Sequence, residues 1–152
     1  MRSASLVLGV SLIMGTASSI EAQGAAPESV TKGFAQVADW ITQSAESVPA
    51  EKYGFKPTDG VRTFGQLVAH IVDGYRFYCR LAKGPVEWSD TVEKTVTAKA
   101  DLLKQLAAAT AECKQVKGKL DPLIENLGHT NLHYGNMIVY LRLLGIVPAS
   151  SR

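Results

Sequence analysis

The stretch DPLIENLGHTNLHYGNMIVYLRLLGIVP, residues 121 to 148, decides how the chain is read. At about 100° per residue, Asn126, His129, Met137, Tyr140 and Leu144 all fall within about 40° of His133. That face carries the apolar residues of the segment, so it is the inward side of an amphipathic helix. Asp121 is the predicted N-cap, with Pro122 at the first helical position. Gly145 and Pro148 supply the stop.

Working towards the amino terminus, a third helix is predicted from about Thr95 to Lys117, with Leu102, Leu103, Leu106, Ala109 and Cys113 inward. A polar connection up to about Lys94, with Trp88 in its middle, separates it from the second helix. That second helix opens on Thr63 and Gln66, spaced as a capping box. Leu67, His70, Ile71, Gly74, Phe77, Tyr78 and Leu81 then form one stripe, and Lys83-Gly84-Pro85 ends it. The first helix, Glu28 to Val48, carries Val30, Phe34, Val37, Ile41 and Val48 on one side and stops at Pro49. Residues 49 to 60 connect the two, with Tyr53 and Phe55 expected to dock on the helices. Four such stripes predict an all-α four-helix bundle over residues 28–148.

Residues 1–22 read as a signal peptide. Arg2 precedes an apolar stretch from Ser5 to Gly15, too short for a comfortable membrane span, and Ile20-Glu21-Ala22 offers a cleavage site before Gln23. Residues 23–27 are then a flexible mature N-terminus and 149–152 a C-terminal tail. The expectation is an exported protein, periplasmic or extracellular, with no stable membrane anchor after signal removal. Lys and Arg number 16 against 14 Asp and Glu, with no dense basic stretch, which argues against nucleic acid as a partner. A small-molecule substrate and a homodimer remain open.

The chain has three histidines, His70, His129 and His133. The last two are four apart on one helix side, and His70 lies on the inward stripe of the second helix, where Gly74 removes bulk beside it. One divalent metal explains three inward imidazoles economically. Separate core histidines, each with its own hydrogen-bond partner, and metal-free acid–base work are the alternatives. Ligand nitrogens sharing one ion would lie roughly 3 to 4 Å apart. Thr130 stands where the glutamate of His-Glu-x-x-His would be, so the metalloprotease base is missing. Three protein ligands leave a position for water or substrate, the layout of a reactive site. Asn126, Asn131, Asn136, Asp73, Tyr75 and Tyr140 are candidates to support the ligands, and only Asn126 and Tyr140 have the right angle.

His129-Thr130-Asn131-Leu132-His133-Tyr134-Gly135-Asn136, with Tyr140-Leu141-Arg142 and Gly145-Ile146-Val147-Pro148, resembles the carboxy-terminal signature of the DinB/YfiT-like proteins. Tyr53-Gly54-Phe55-Lys56-Pro57, Arg62-Thr63-Phe64-Gly65-Gln66-Leu67 and Ala69-His70 resemble that family's approach to its second helix. The similarity runs from about Phe34 to Pro148. It implies a four-helix bundle with a three-histidine divalent site, described with nickel or zinc. His70 would come from the second helix, and His129 and His133 from the fourth. Relatives include thiol-dependent S-transferases and an isomerase using small thiol cofactors. The family label comes from DNA-damage induction and implies no DNA binding.

The resemblance also implies an up-down-down-up arrangement with a long crossover between helices 2 and 3. In a simple hairpin, Cys79 and Cys113 would be about 24 Å apart along the helices. With helices 2 and 3 parallel, both cysteines reach the same end of the bundle, and a disulfide or close thiol pair is expected there. The function expected from all this is that of an exported divalent-metal protein, an enzyme of unassigned reaction. A thiol-dependent S-transferase and a non-catalytic structural or metal-sequestering bundle are the alternatives.

Overall fold

A computed structural model describes residues 26–152. The predicted signal peptide and its cleavage point lie outside the described residues. Five helices follow one another: α1 Glu28–Ser47, α2 Phe64–Leu81, α3 Thr91–Thr95, α4 Lys99–Lys114 and α5 Leu120–Leu143. Short 3-10 turns occupy Ala50–Lys52 and Ala149–Ser151, and no strand occurs among the described residues. The second turn packs back on the bundle, with Ala149 buried and the Ser150 amide donating to the Tyr134 hydroxyl at 2.9 Å.

Contacts between helix ends give the directions. The Cys79–Cys113 disulfide, with Cα atoms 5.4 Å apart, and the Arg80–Glu112 ion pair join the carboxy-terminal ends of α2 and α4, so these helices are parallel. The Tyr140 hydroxyl donates to the Arg62 carbonyl at 2.7 Å, and the Lys119 amide donates to the Ala82 carbonyl at 2.9 Å. These bonds tie each end of α2 to the opposite end of α5. Trp40 stacks on Tyr134, and Gly33 faces Leu127, which sets α1 parallel to α5. Lys99, at the start of α4, donates to the carbonyls of Glu46 and Val48 at the end of α1. The bundle is therefore up-down-down-up over α1, α2, α4 and α5, as predicted. The crossover between α2 and α4 returns along the bundle and contains α3.

Several boundaries follow the predicted chemistry. The Thr63 capping box is complete, with Thr63 Oγ1 accepting from the Gln66 amide and Gln66 Oε1 accepting from the Thr63 amide. Gly145 adopts φ +73°, which lets its own amide reach the Arg142 carbonyl and the Ile146 amide reach the Leu141 carbonyl. This is the Schellman closure of α5. Tyr53 is buried and donates to the Ala45 carbonyl at 2.7 Å, while Phe55 packs edge-on to Tyr140.

Other boundaries differ. The third long helix starts at Lys99, not Thr95, because Val96 is extended and Thr91–Thr95 is a separate short helix. That short helix is held by Asp73, whose carboxylate accepts the amides of Val92 at 3.2 Å and Glu93 at 2.9 Å. Asp121 is not the cap of α5. The helix begins at Leu120, after Lys119, and Pro122 sits in its first turn, where a missing N–H leaves no helical bond unmade. Of the predicted inward residues of α4, Leu103 is only partly buried.

Core depth decides where the site can be. Helix α2 is buried on more than one side, since Val68, Val72, Tyr75 and Cys79 are enclosed together with Leu67 and Ile71. It is the central helix, flanked by α4, α5 and α3.

Candidate metal centre

His70 projects from the middle of α2, and His129 and His133 from successive turns of α5. Because α2 and α5 are antiparallel neighbours, the three rings meet. His70 Nε2 lies 3.3 Å from His129 Nε2, and one nitrogen from each ring lies within 4.8 Å of the others. An ion at about 2.1 Å from tetrahedral ligands sets neighbouring nitrogens about 3.4 Å apart, the spacing that the His70–His129 pair already has. Gly74 makes this approach possible, but for His129 and not for its helix neighbour His70. A Cβ at position 74 would lie 2.3 Å from His129 Cε1, inside the imidazole's own volume.

The rings are held neutral. Burial first, then the charges of His133, His70 and Arg62, push the His129 pKa down to about 3. Burial, His70 and Arg62 lower His133 to about 4, against an opposing pull from Glu93. His70 is lowered by burial and Arg62, with Glu93 and Asp73 opposing. His129 Nδ1 and His133 Nδ1 are buried without a hydrogen-bond partner among the described residues. That does not fit separate core histidines, each satisfied by its own partner. The rings converge on one another instead, His129 Nε2 facing His70 Nε2, as three neutral donors around one cation would, and an all-imidazole set suits zinc, nickel, copper or iron better than magnesium or calcium.

The sign of the pH effect on the metal-free protein follows. Unfolded imidazoles take up protons below about pH 6.5, whereas His129 and His133 in the fold do so only near 3 to 4. The stability they contribute is fully present above pH 6.5 and is lost as pH falls towards 4. The melting temperature of the metal-free protein is expected to decline across that window. His129→Asn should flatten the decline; an unchanged slope would show that these rings titrate normally.

Glu93 and Trp88, which no sequence pattern pointed to, join Arg62 and Tyr78 around the centre. Glu93, on α3, places Oε2 3.0 Å from His70 Nδ1, and Arg62 Nε approaches Glu93 Oε1 at 2.7 Å. Trp88 lies against His70 and Phe77, and Tyr78 against His129. Glu93 and Trp88 reach the site only because the crossover folds back over α2, and no spacing in the sequence encodes that. A cavity of about 640 Å³ opens beside the centre, with Arg62, Gln66, Glu93, His133, Asn136 and Tyr140 among its lining residues.

The supporting residues predicted from helical angle divide. Tyr140 lines this cavity and is anchored on the Arg62 carbonyl. Asn136 lines it as well, although its angle argued against it. Asn126 points inward but sits beside the disulfide, where its Nδ2 lies 3.4 Å from Cys79 Sγ. Asn131 donates to the Leu127 carbonyl of its own helix. Tyr75 is buried against Phe34, and Asp73 engages the backbone of α3.

A family model described as the DinB superfamily matches residues 34–123, more than half of the chain. The chain belongs to the DinB superfamily. In this DinB-superfamily protein the matched span includes His70 and the whole of α2, α3 and α4. It ends before His129 and His133, so the contribution of α5 to the centre rests on the geometry above. No curated protein matches the chain.

Proposed function

We propose that this protein is an exported metal-dependent enzyme, with His70, His129 and His133 holding one zinc or nickel ion beside a small-molecule cavity. The observation that carries the reading is the convergence of three neutral imidazoles, one of which, His133, lines an open cavity whose volume falls in the range of ligand sites. A sealed structural ion would have no use for such a space. A bound ion would supply Lewis acidity. The chain's own polar groups (the Arg62 guanidinium, the Gln66 and Asn136 amides and the Tyr140 hydroxyl) would orient a polar substrate, with Val61, Leu67 and Val139 against its apolar part. Export is supported by the charge and apolar pattern of residues 1–22, and the Cys79–Cys113 bridge suits an oxidising compartment. No described helix is long and apolar enough to cross a membrane.

The test takes the protein from the compartment in which it accumulates. Metal analysis should return about one zinc or nickel per chain, and amino-terminal sequencing should begin near Gln23. Nickel added to metal-free protein should quench Trp88, whose ring centroid is 5.5 Å from that of His70. A protein without a transition metal, and with no affinity for one, would overturn the metal reading. A mature chain that starts at Met1 in the cytoplasm would overturn export.

A further inference from the structure

We propose that Asp73 is a positioning residue for the histidine centre, acting through α3 and Glu93 to fix the orientation of His70. The inference rests on the metal reading above and adds what governs one of its three ligands.

Asp73 is 3% exposed and forms no ion pair with a Lys or Arg among the described residues. A buried carboxylate is costly unless its oxygens are satisfied. Here both accept main-chain amides, Oδ1 from Val92 and Oδ2 from Glu93. Those are first-turn amides of α3, which no intrahelical carbonyl can reach. Asp90, at the start of α3, makes no side-chain cap. Asp73 therefore caps α3 from another helix. A helix of five residues has almost no stability alone, so its position is set by its contacts with α2, of which the Asp73 cap and buried Val92 are the chief ones.

Glu93 is what α3 delivers. Its Oε2 meets His70 Nδ1 at 3.0 Å, while Arg62 takes Oε1 at 2.7 Å and Oε2 at 3.3 Å. Arg62 Nη2 also lies 3.2 Å from His70 Nδ1, but a guanidinium only donates and a carboxylate only accepts. With Nδ1 protonated towards Glu93, the Arg62 contact is a by-product of the shared carboxylate. The His70 Nε2 lone pair then faces His129. A carboxylate on the outer nitrogen both orients an imidazole ligand and strengthens it as a donor. Among the described residues His129 and His133 have no partner on Nδ1, so His70 is the ligand governed by the crossover. Asp73 follows His70 by three residues, so one face of α2 carries both the ligand and the anchor of its orienting group.

Zinc affinity, measured by competition with a chromophoric chelator, tests this on Asp73→Asn, Glu93→Ala and the double variant. Glu93→Ala should weaken zinc by about 10- to 100-fold and Asp73→Asn by about tenfold. The double variant should be no weaker than Glu93→Ala alone, since Asp73 acts through Glu93. Independent losses that multiply would overturn the inference, as would Glu93→Ala within twofold of wild type. Nitrogen-15 spectra of the metal-free protein give a second reading that needs no ion. His70 should be the Nδ1–H tautomer in wild type, and each variant should lose that preference. If Asp73→Asn fails to fold, hydrogen exchange at the Val92 and Glu93 amides of wild type decides; free exchange there would overturn the role of Asp73. A wild type that binds no zinc, with His70 still held as the Nδ1–H tautomer, would remove the metal and leave the positioning relay in place.

Discussion

His133→Ala is expected to abolish stoichiometric zinc or nickel binding while the far-UV circular dichroism of the bundle persists. His133 is the most enclosed of the three histidines, at 8% exposure, and it is also the one that lines the cavity. Removing it leaves two imidazoles on different helices. The loss should exceed the 10- to 100-fold typical of removing a group outside the ligand set. The fold is expected to persist because most of the core, including Ile41, Phe64, Leu102, Leu106 and Leu141, is contributed by other fully enclosed side chains. The substitution also removes an unpartnered buried Nδ1, which offsets part of the lost packing. Metal content after dialysis, set beside the helical signal, gives the answer. Equal metal in variant and wild type would remove His133 from the centre, and an unfolded variant would make the histidine cluster a structural support.

Replacing Cys79 and Cys113 together with Ala should lower stability by about 3 to 4 kcal/mol, the loop-closure entropy for cysteines 34 residues apart. For a chain of this size that is roughly 10 °C in melting temperature. The bond joins parallel helices that no short loop connects, so the unfolded chain gains much freedom when it is cut. Asn126 would also lose the sulfurs that its amide now faces. Urea unfolding with and without reductant measures the effect on wild type, and the double variant should match the reduced protein. Coincident midpoints would show that the bridge constrains nothing the core does not already hold.

Much of this was legible in the sequence because it lay in local periodicity. The 3.6-residue repeat placed four helices, Thr63 and Gln66 announced the start of α2, and Gly145 the end of α5. His129 and His133 could be paired from their spacing alone, and the phase of His70 turned it towards them. What escaped depends on how the helices are arranged. A single stripe could not represent α2, since a central helix buries Val68 and Val72 as well as Leu67 and Ile71. Asn126 has the same helical phase as His133 but lies two turns away, and phase carries no information about depth along the bundle. Gly74 makes room for His129 and not for His70, because the neighbour it faces lies across the α2–α5 interface, which the pattern of α2 alone cannot show. Glu93 had no signal at all: it becomes a partner of His70 only once the crossover has turned back.

The up-down-down-up order has a consequence for how the chain acquires its structure. Helix α1 packs against α5 and α4, not chiefly against the helix that follows it. Although Phe34 meets Tyr75 of α2, most of the surface that α1 packs on is formed by α5, whose residues come some 80 to 100 positions later. Of the long helices that follow one another in sequence only α2 and α4 pack extensively, and because they are parallel even that pairing must first close the crossover between them. A chain lacking α5 leaves much of the apolar side of α1 open to solvent and to other copies of itself. Until the last helix has emerged the histidine cluster cannot form, since two of its three members lie on α5, and the nascent protein is held apart from its function by topology alone.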